Sequence, residues 1–475
     1  MTSLVWFRRD LRTTDQPALL AAAAGEGSVH AVVVFTPETW REHGVGANQL
    51  TLLCRRAQSL RAELDELGIP LHAVHASTFA ATPDALLALA EEIGADRLHH
   101  GLEHEVDERE RDEVVRLAFE DAGKRVHAHH TQTLLPPDAV QTGTGGPYKV
   151  FTPYKRSVLK QLTAEGDLVA GLRPEQQAEP CEAIGSIPDA IEGAGTTVEL
   201  GTFDLNEKEA LAGLDGFLAE QGAQYEAQRN FPAVAGTSGL GVAFALGTLS
   251  PRTAYAHALR RLTSHPNEAE GLDTWISELV WRDFYRHVLF HFPRVCMNRP
   301  FDLATEAVEW RNHEVEFQAW CEGRTGYPLV DAAQRCLVAT GWMHNRLRMV
   351  TAQFLTKHLL VDWRWGERFF AQHLVDYDFA SNNGGWQWSS STGTDAAPYF
   401  RVFNPISQSE KFDADGAFIR QWVPELAELR GKDLHDPSRI APLLRSDLDY
   451  PELIVAQKFG RQRAIDAFKT ARASL

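Results

Sequence analysis

"HAVVVF" (30–35), "ANQLTLLCRRAQSLRAELDELG" (47–68) and "PLHAVH" (70–75) follow one another near the start of the chain. The outer two are short apolar, β-branched runs, and the middle one has helical length and an Ala/Leu/Glu-rich composition. Strand, helix, strand in that order reads as a βαβ unit with parallel strands. The pattern continues outward to "SLVWF" (3–7) on one side and to "DRLHH" (96–100) and "RVHAHH" (125–130) on the other. "TPDALLALAEEIG" (82–94) supplies another helix, with a Thr-Pro start and Gly94 at its end. Strand and helix alternate five times, which predicts a doubly wound, Rossmann-like α/β domain over 1–132. No GxGxxG follows the first strand, which argues against a standard nicotinamide-binding half.

Residues 165–205 are rich in Gly, Pro, Glu and Ala and weakly periodic, so 133–205 is assigned as an interdomain connection. From about 206 strand signals vanish. "LSPRTAYAHALRRL" starts a helix with Ser250 at the cap and Pro251 in the first turn. "DTWISELVWRDFYRHVLFHF" and "GWMHNRLRMVTAQFLTKHLLVDW" carry helical apolar spacing, as at Met343, Leu347, Val350 and Phe354. An all-α domain is expected over 206–475.

The length of 475 residues exceeds the roughly 250–300 at which single cores stop growing, in keeping with two domains. No apolar run approaches the ~20 residues of a membrane span. The N-terminal "MTSLVWFRRDLR" puts Arg after the apolar patch, the wrong order for a secretory signal. Cys54, Cys181, Cys296, Cys321 and Cys336 are scattered without a CxxC pair, which suggests reduced thiols in a cytosol. The net charge is −17, but residues 81–120 and 161–210 carry −8 and −9 of it. The rest is neutral, so a local basic face for nucleic acid is compatible with the total.

"NNGGWQWSSSTGTDAAPYF" (382–400) holds paired Asn and Gly, two Trp and a hydroxyl run, with Asp395 its one carboxylate. It suits flat, π-rich partners better than nucleophilic or metal chemistry; a glycine-rich turn with core tryptophans would look the same. Glu278, Trp281 and Arg282 share a helix face, as do Asn345, Arg348 and Met349. Each group reads either as a pocket wall or as an ordinary solvated face. "GTSGLG" (236–241) is a loop able to offer amides and hydroxyls to phosphates. His127, His129 and His130 lack a nearby carboxylate or Cys, and the structural reading is preferred over a metal site.

The chain resembles the DNA photolyase/cryptochrome family, above all the class I cyclobutane pyrimidine dimer (CPD) photolyases. The resemblance runs through "LVWFRRDLR" (4–12), "YKVFTPYKR" (148–156), "FPAVAGTSGLG" (231–241), "LSPR" (249–252) and "WISELVWRDFYRH" (275–287). It continues through "GRTGYPLVDAAQR" (323–335), "GWMHNRLRM" (341–349) and "NNGGWQWSSSTGTDAAPYFRVFNP" (382–405). It implies a helical domain that holds FAD and repairs damaged DNA, double- or single-stranded, by blue-light-driven electron transfer to a flipped-out dimer. A soluble, cytoplasmic monomer is expected.

By the resemblance, Asn382 faces N5 of the flavin, Asp376 and Asp378 reach the ring or ribose, and Arg348 lies near the ring. Tyr225, Thr237, Ser238, Gly239, Leu240, Gly241 and Arg282 hold the pyrophosphate, and Trp275, Glu278 and Asn345 complete the cofactor site. The family usually has Arg and Ser where this chain has Gly239 and Gly241, and Asn where it has Ser277. Trp281 and Trp388 stack on the dimer, and Glu278, Asn345 and Met349 contact its bases. Arg229, Arg346, Arg401 and Lys411 contact DNA phosphates. Trp386, Trp363 and Trp310 form an electron-hopping chain. A second, antenna chromophore is implied: 5,10-methenyltetrahydrofolate at Asp107, Glu108 and Cys296, or instead 8-hydroxydeazaflavin, or none. Asp107 replaces a usual Asn and Met297 a common Lys, which weakens the folate match. A cryptochrome would often replace Asn382, and a (6-4) photolyase would place His at Asn345 and Met349. A flavin oxidoreductase lacks support from any dinucleotide fingerprint.

Overall fold

The computed structural model describes residues 2–165, 171–177, 182–191, 195–196, 198–203, 205–441, 445 and 448–473. By contacts it divides into two compact units. Unit one comprises 1–223, 238–296 and 375–378; unit two comprises 224–237, 297–374 and 379–475. The sequence boundaries at 132 and 205 followed composition; the units follow contacts, and the helices up to 296 fall mostly with the α/β part.

Unit one opens with strands β1 (Thr2–Phe7), β2 (Ser28–Phe35), β3 (Leu71–His75), β4 (Ala95–Gly101) and β5 (Arg125–His129). They form one parallel sheet in the order β3-β2-β1-β4-β5. Between them lie α1 (Pro17–Ala23), α2 (Pro37–Glu42), α3 (Ala47–Asp65), α4 (Thr82–Glu92) and α5 (Val106–Asp121). Of the inner strands, β1 and β2 are buried on both faces, which is why they read as unbroken apolar runs. Leu4, Trp6, Val32, Val34 and Leu98 pack with Leu86, Leu89, Val115 and Phe119 into one core layer. Gly94 closes α4 at φ +66°, a left-handed position where glycine carries no Cβ penalty.

His99 lies parallel to His127 and His129 at 4.8 and 5.4 Å, and its Nδ1 is 3.2 Å from His129 Nε2. Burial depresses the pKa of His99 to about 4 and lowers that of His129 as well, which suits a packed, structural role. His130 stands beside Arg252 instead, its carbonyl accepting from that guanidinium at 3.1 Å. Of the expected connection, 151–165 forms a helix, and the stretch at Ile184 lies along β3: Ala73 N–H donates to Ile184 O at 2.9 Å and Ile184 N–H to His72 Nδ1 at 2.9 Å. That covers a sheet edge that would otherwise present unpaired amides. The rest of this connection, with Cys181, lies partly outside the described residues. The other four cysteines are free thiols.

Unit one continues with α6 (Phe151–Glu165), α7 (Glu207–Glu220), then α9 (Gly241–Leu246), α10 (Pro251–Ser264) and α11 (Ala269–His291), with α8 (Tyr225–Gln228) belonging to unit two. Ser250 caps α10 as expected, its Oγ accepting from Arg252 N–H at 3.1 Å.

Unit two contains α12 (Glu314–Cys321), α13 (Pro328–Thr340), α14 (Asn345–Gln353), a π-helical turn (Phe354–Leu359), α15 (Trp363–His373) and α16 (Phe379–Ser390). Then come α17 (Pro405–Phe412), α18 (Ala417–Trp422), α19 (Gly431–His435) and α20 (Gln457–Ala473). Met343, Leu347, Val350 and Phe354 are all buried, as their spacing predicts. Gly366, within α15, lies against the Trp386 ring: a Cβ there would sit 2.1 Å from Trp386 Cη2. Among the described residues no helix is long and apolar enough to cross a membrane.

Candidate flavin and lesion sites

In unit one the site residues cluster on and around α11. Trp281 and Arg282 are half-buried there, one turn beyond Ser277 and Glu278. Phe151, the first residue of α6, lies flat on Trp281 with ring centroids 3.6 Å apart and planes 8° apart, so one face of the indole is taken. One turn further along α6, Lys155 Nζ donates to Ser277 Oγ at 2.5 Å, and Ser277 Oγ donates to Asp273 O at 2.7 Å. The small Ser277, where the family usually has Asn, thus makes room for a lysine. Trp275 is buried against Phe217.

Arg282 donates to two main-chain oxygens, Gln132 O at 2.5 Å and Phe244 O at 3.3 Å. Burial, and then the neighbouring Arg286, push its pKa down to about 9. A buried guanidinium facing carbonyls gains from an anionic group. Asp378 pairs with Arg286 in a two-pronged ion pair, with Nη1 3.3 Å from Oδ1. Burial works against charge on Arg286, yet Asp378 more than offsets it and holds the pKa above its ordinary value. Arg286 was not singled out in the sequence, although it stands one helical turn after Arg282. Gly241 has a specific reason to be glycine: a Cβ there would lie 2.6 Å from Asp376 Oδ2. Gly239 sits at φ +66°, where a side chain would be strained. Gly239 and Gly241 are exposed, and an exposed glycine backbone of this kind, with a desolvated Arg282 guanidinium in the same unit, suits a pyrophosphate. These residues fit FAD.

Unit two carries the other expected groups. Asn382 is buried on α16, and its Nδ2 donates to Glu367 O at 3.0 Å. A carbonyl can only accept, so the amide is held with its nitrogen toward Glu367 and its oxygen turned away. Glu367 is itself buried, and its Oε1 accepts from Asn383 Nδ2 at 2.9 Å; Asn383 Oδ1 accepts from Gln387 Nε2 at 2.8 Å. Burial raises the Glu367 carboxyl to about 7. Neither Glu367 nor Asn383 stood out in the sequence, because a lone Glu on a helix reads as solvated.

Arg348 is fixed by its Nε donating to Met343 O at 2.7 Å. Asn345 is exposed at the start of α14, and Met349 and Trp388 are half-buried. Trp386 is buried and touches the rings of Phe370 (4.9 Å) and Trp320 (6.1 Å). Trp363 is buried under the Arg364 guanidinium, and Trp310 packs on Phe468. Ring contacts do not join Trp386, Trp363 and Trp310 to one another among the described residues.

Two basic groups of unit two, Arg346 and Lys411, meet at the Phe412 ring. Arg346 lies over that ring at 4.5 Å and Lys411 at 5.1 Å, and Arg346 Nη2 donates to Asn230 Oδ1 at 2.5 Å. Arg229 lies over Tyr225 at 5.3 Å. Burial, with Arg348, Arg346 and Arg229 around it, pushes His344 down to about 4. Arg401 is exposed and Thr237 half-buried.

The antenna residues also converge within unit one. His43 Nε2 lies 3.0 Å from Asp107 Oδ2, and its Nδ1 3.7 Å from Glu108 Oε1. Burial, then the charge of Glu105, raises the Cys296 thiol to about 12, with Glu108 and Asp107 also nearby. A cavity opens beside this group at the C-terminal ends of β1 and β2, lined by Trp6, Arg8, Trp40, Phe79, Glu108 and Arg111 among others. It lies where ligands of open α/β sheets generally bind.

Two family models match the chain: "DNA photolyase" over 3–177 and "FAD binding domain of DNA photolyase" over 275–470. The deoxyribodipyrimidine photo-lyase of Escherichia coli is 43% identical, covering 99% of both chains. A bacterial class III photolyase from Agrobacterium tumefaciens has TM-score 0.85 at 34% identity, covering 99% of this chain and 98% of that one. A cryptochrome from Synechocystis has TM-score 0.87 at 26% identity, covering 98% and 99%.

Proposed function

The chain belongs to the DNA photolyase family, and on that premise we propose that it is a deoxyribodipyrimidine photo-lyase, splitting cyclobutane pyrimidine dimers in DNA with light. The carrying observation is end-to-end identity of 43% with a repair enzyme, well above the 26% shared with a cryptochrome. Asn345 and Met349 also stand where a (6-4) enzyme would have His.

FAD is the cofactor. When bound, it supplies light-driven one-electron chemistry in which the dimer splits without net redox change. In unit one, Arg282 and the 238–241 turn hold the pyrophosphate, and Asp376 and Asp378 the ring or ribose side. In unit two, Tyr225 and Thr237 add to the pyrophosphate contacts, Arg348 stands by the ring, and Asn382 presents its amide oxygen to N5–H. Trp281 stacks on the dimer with the face that Phe151 leaves open, and Trp388 packs against it too. Glu278, Asn345 and Met349 contact its bases. Taking a damaged base out of the stack costs a few kcal/mol, and Arg229, Arg346, Arg401 and Lys411 stabilise the complex through phosphates. The protein acts as a monomer on double- or single-stranded DNA.

For the antenna, folate at Asp107, Glu108 and Cys296 is the first reading. The His43 contacts compete for both carboxylates, and 8-hydroxydeazaflavin in the cavity at β1 and β2 is the second. Blue light on the FAD-loaded, reduced protein with a dimer-containing oligonucleotide tests the main reading. Restored thymines are expected; intact dimers would sink it.

A further inference from the structure

Trp386 adjoins a second row of aromatic rings. Its ring meets Trp320 on α12, with centroids 6.1 Å apart and planes at 72°. Trp320 is fully buried and stacks on Phe317 at 5.9 Å and 19°. Phe317 meets the edge of Trp365 at 5.1 Å, and Trp365 is half-buried on α15. Phe369 and Phe370 pack on Trp320 at 5.3 and 6.2 Å, so further aromatic rings surround the buried indole. Electron tunnelling falls off steeply with the gap between rings, and this row runs from Trp386 to a partly exposed indole with successive ring centroids 6.1, 5.9 and 5.1 Å apart.

Local charge tilts the choice of route. Arg364 lies over the Trp363 ring at 4.8 Å, and a cation there disfavours a second positive charge on that indole. Asp362 offsets part of this, bound to Arg364 at 2.9 and 3.1 Å. Trp320 has the opposite setting: its Nε1–H donates to Thr351 O at 3.2 Å, and a carbonyl oxygen favours a radical cation on the ring. Trp320 therefore competes with Trp363 as the donor to oxidised Trp386.

We propose that Trp320, relaying through Phe317 to Trp365, is a second branch of electron supply to Trp386. The inference rests on the reading that Trp386 is the flavin's immediate donor. Trp386 gives one electron to the light-excited oxidised flavin. Trp320 gives one to the Trp386 radical cation, and Trp365 gives one to Trp320. The Trp365 radical cation passes its indole proton to water, and a thiol in the medium returns one electron and one proton.

The test uses full-length, FAD-loaded protein with oxidised flavin, and reads the long-lived tryptophanyl radical by transient absorption beside photoreduction in dithiothreitol. Trp363→Phe should slow photoreduction and keep the radical. Trp363→Phe with Trp320→Phe, and Trp363→Phe with Trp365→Phe, should both lose it. Trp320→Phe also removes the bond to Thr351, so the more exposed Trp365→Phe pair keeps the test sound if the core variant folds poorly. The branch is refuted if Trp363→Phe alone loses the radical, or if neither second substitution changes it. Should Trp386→Phe still form the radical, the donor assignment itself fails, a different result from failure of the branch.

Discussion

Glu367→Gln should change how stability depends on pH. The carboxyl is buried between α15 and α16 and accepts from Asn383, with Arg364, Arg368 and Asp362 as the nearby charges. Burial raises it from an ordinary 4.5 to about 7, more than Asn383 and the two arginines lower it. The folded state therefore keeps its proton after the unfolded chain has lost it. Its contribution is full below about pH 4.5 and disappears as pH rises through about 7. A gap of this size corresponds to about 3 kcal/mol at 1.36 kcal/mol per pH unit. Gln keeps the oxygen that Asn383 needs and does not titrate. Denaturant unfolding of the FAD-loaded protein from pH 5 to 8 should show the variant gaining roughly 2–3 kcal/mol on the wild type. Other raised carboxyls, such as Asp331 at about 6, move both proteins alike and cancel in the difference. A difference that stays flat across that range would mean Glu367 titrates normally and is not desolvated as described.

Trp281→Ala should weaken dimer binding by roughly 1–3 kcal/mol, the usual worth of a base–aromatic stack, while binding of undamaged DNA is little changed; equal affinities for the dimer would remove Trp281 from the lesion site. Trp386→Phe should block photoreduction of oxidised FAD and spare repair by pre-reduced protein, checked by absorbance and by the dimer assay in parallel. Arg346→Ala should weaken DNA binding and reduce the slope of log affinity against log salt by about 1, as one phosphate contact is lost. If a folate is bound, Glu108→Ala should remove a near-ultraviolet band beyond flavin from the absorbance spectrum, whereas an unchanged band would place the antenna elsewhere.

The α/β half was legible because short strand-like segments alternate with helical ones, β1 and β2 as unbroken apolar runs: all five expected strands appear, within two residues of their expected ends. Helix caps such as Ser250 were legible for a local reason, since cap and amide are two residues apart. The candidate site was legible mainly through resemblance. Periodicity could group Glu278, Trp281 and Arg282, but not find Phe151, more than a hundred residues away, on the face of that indole. Nor could it find Glu367 holding Asn382 by a main-chain oxygen, because backbone partners leave no mark on residue type. Ser277 looked like a bare departure until Lys155 appeared beside it.

Gly366 couples two positions of the chain in inheritance. A glycine inside a helix costs about 1 kcal/mol against alanine, so a search for stabilising replacements would choose this site early. The Trp386 ring occupies the space that any side chain there would need. A lineage can enlarge residue 366 only by shrinking residue 386, and with it would go the indole on which light-driven activation is proposed to depend. Selection on the electron donor is thus felt twenty residues upstream, as intolerance at a position that does no chemistry of its own.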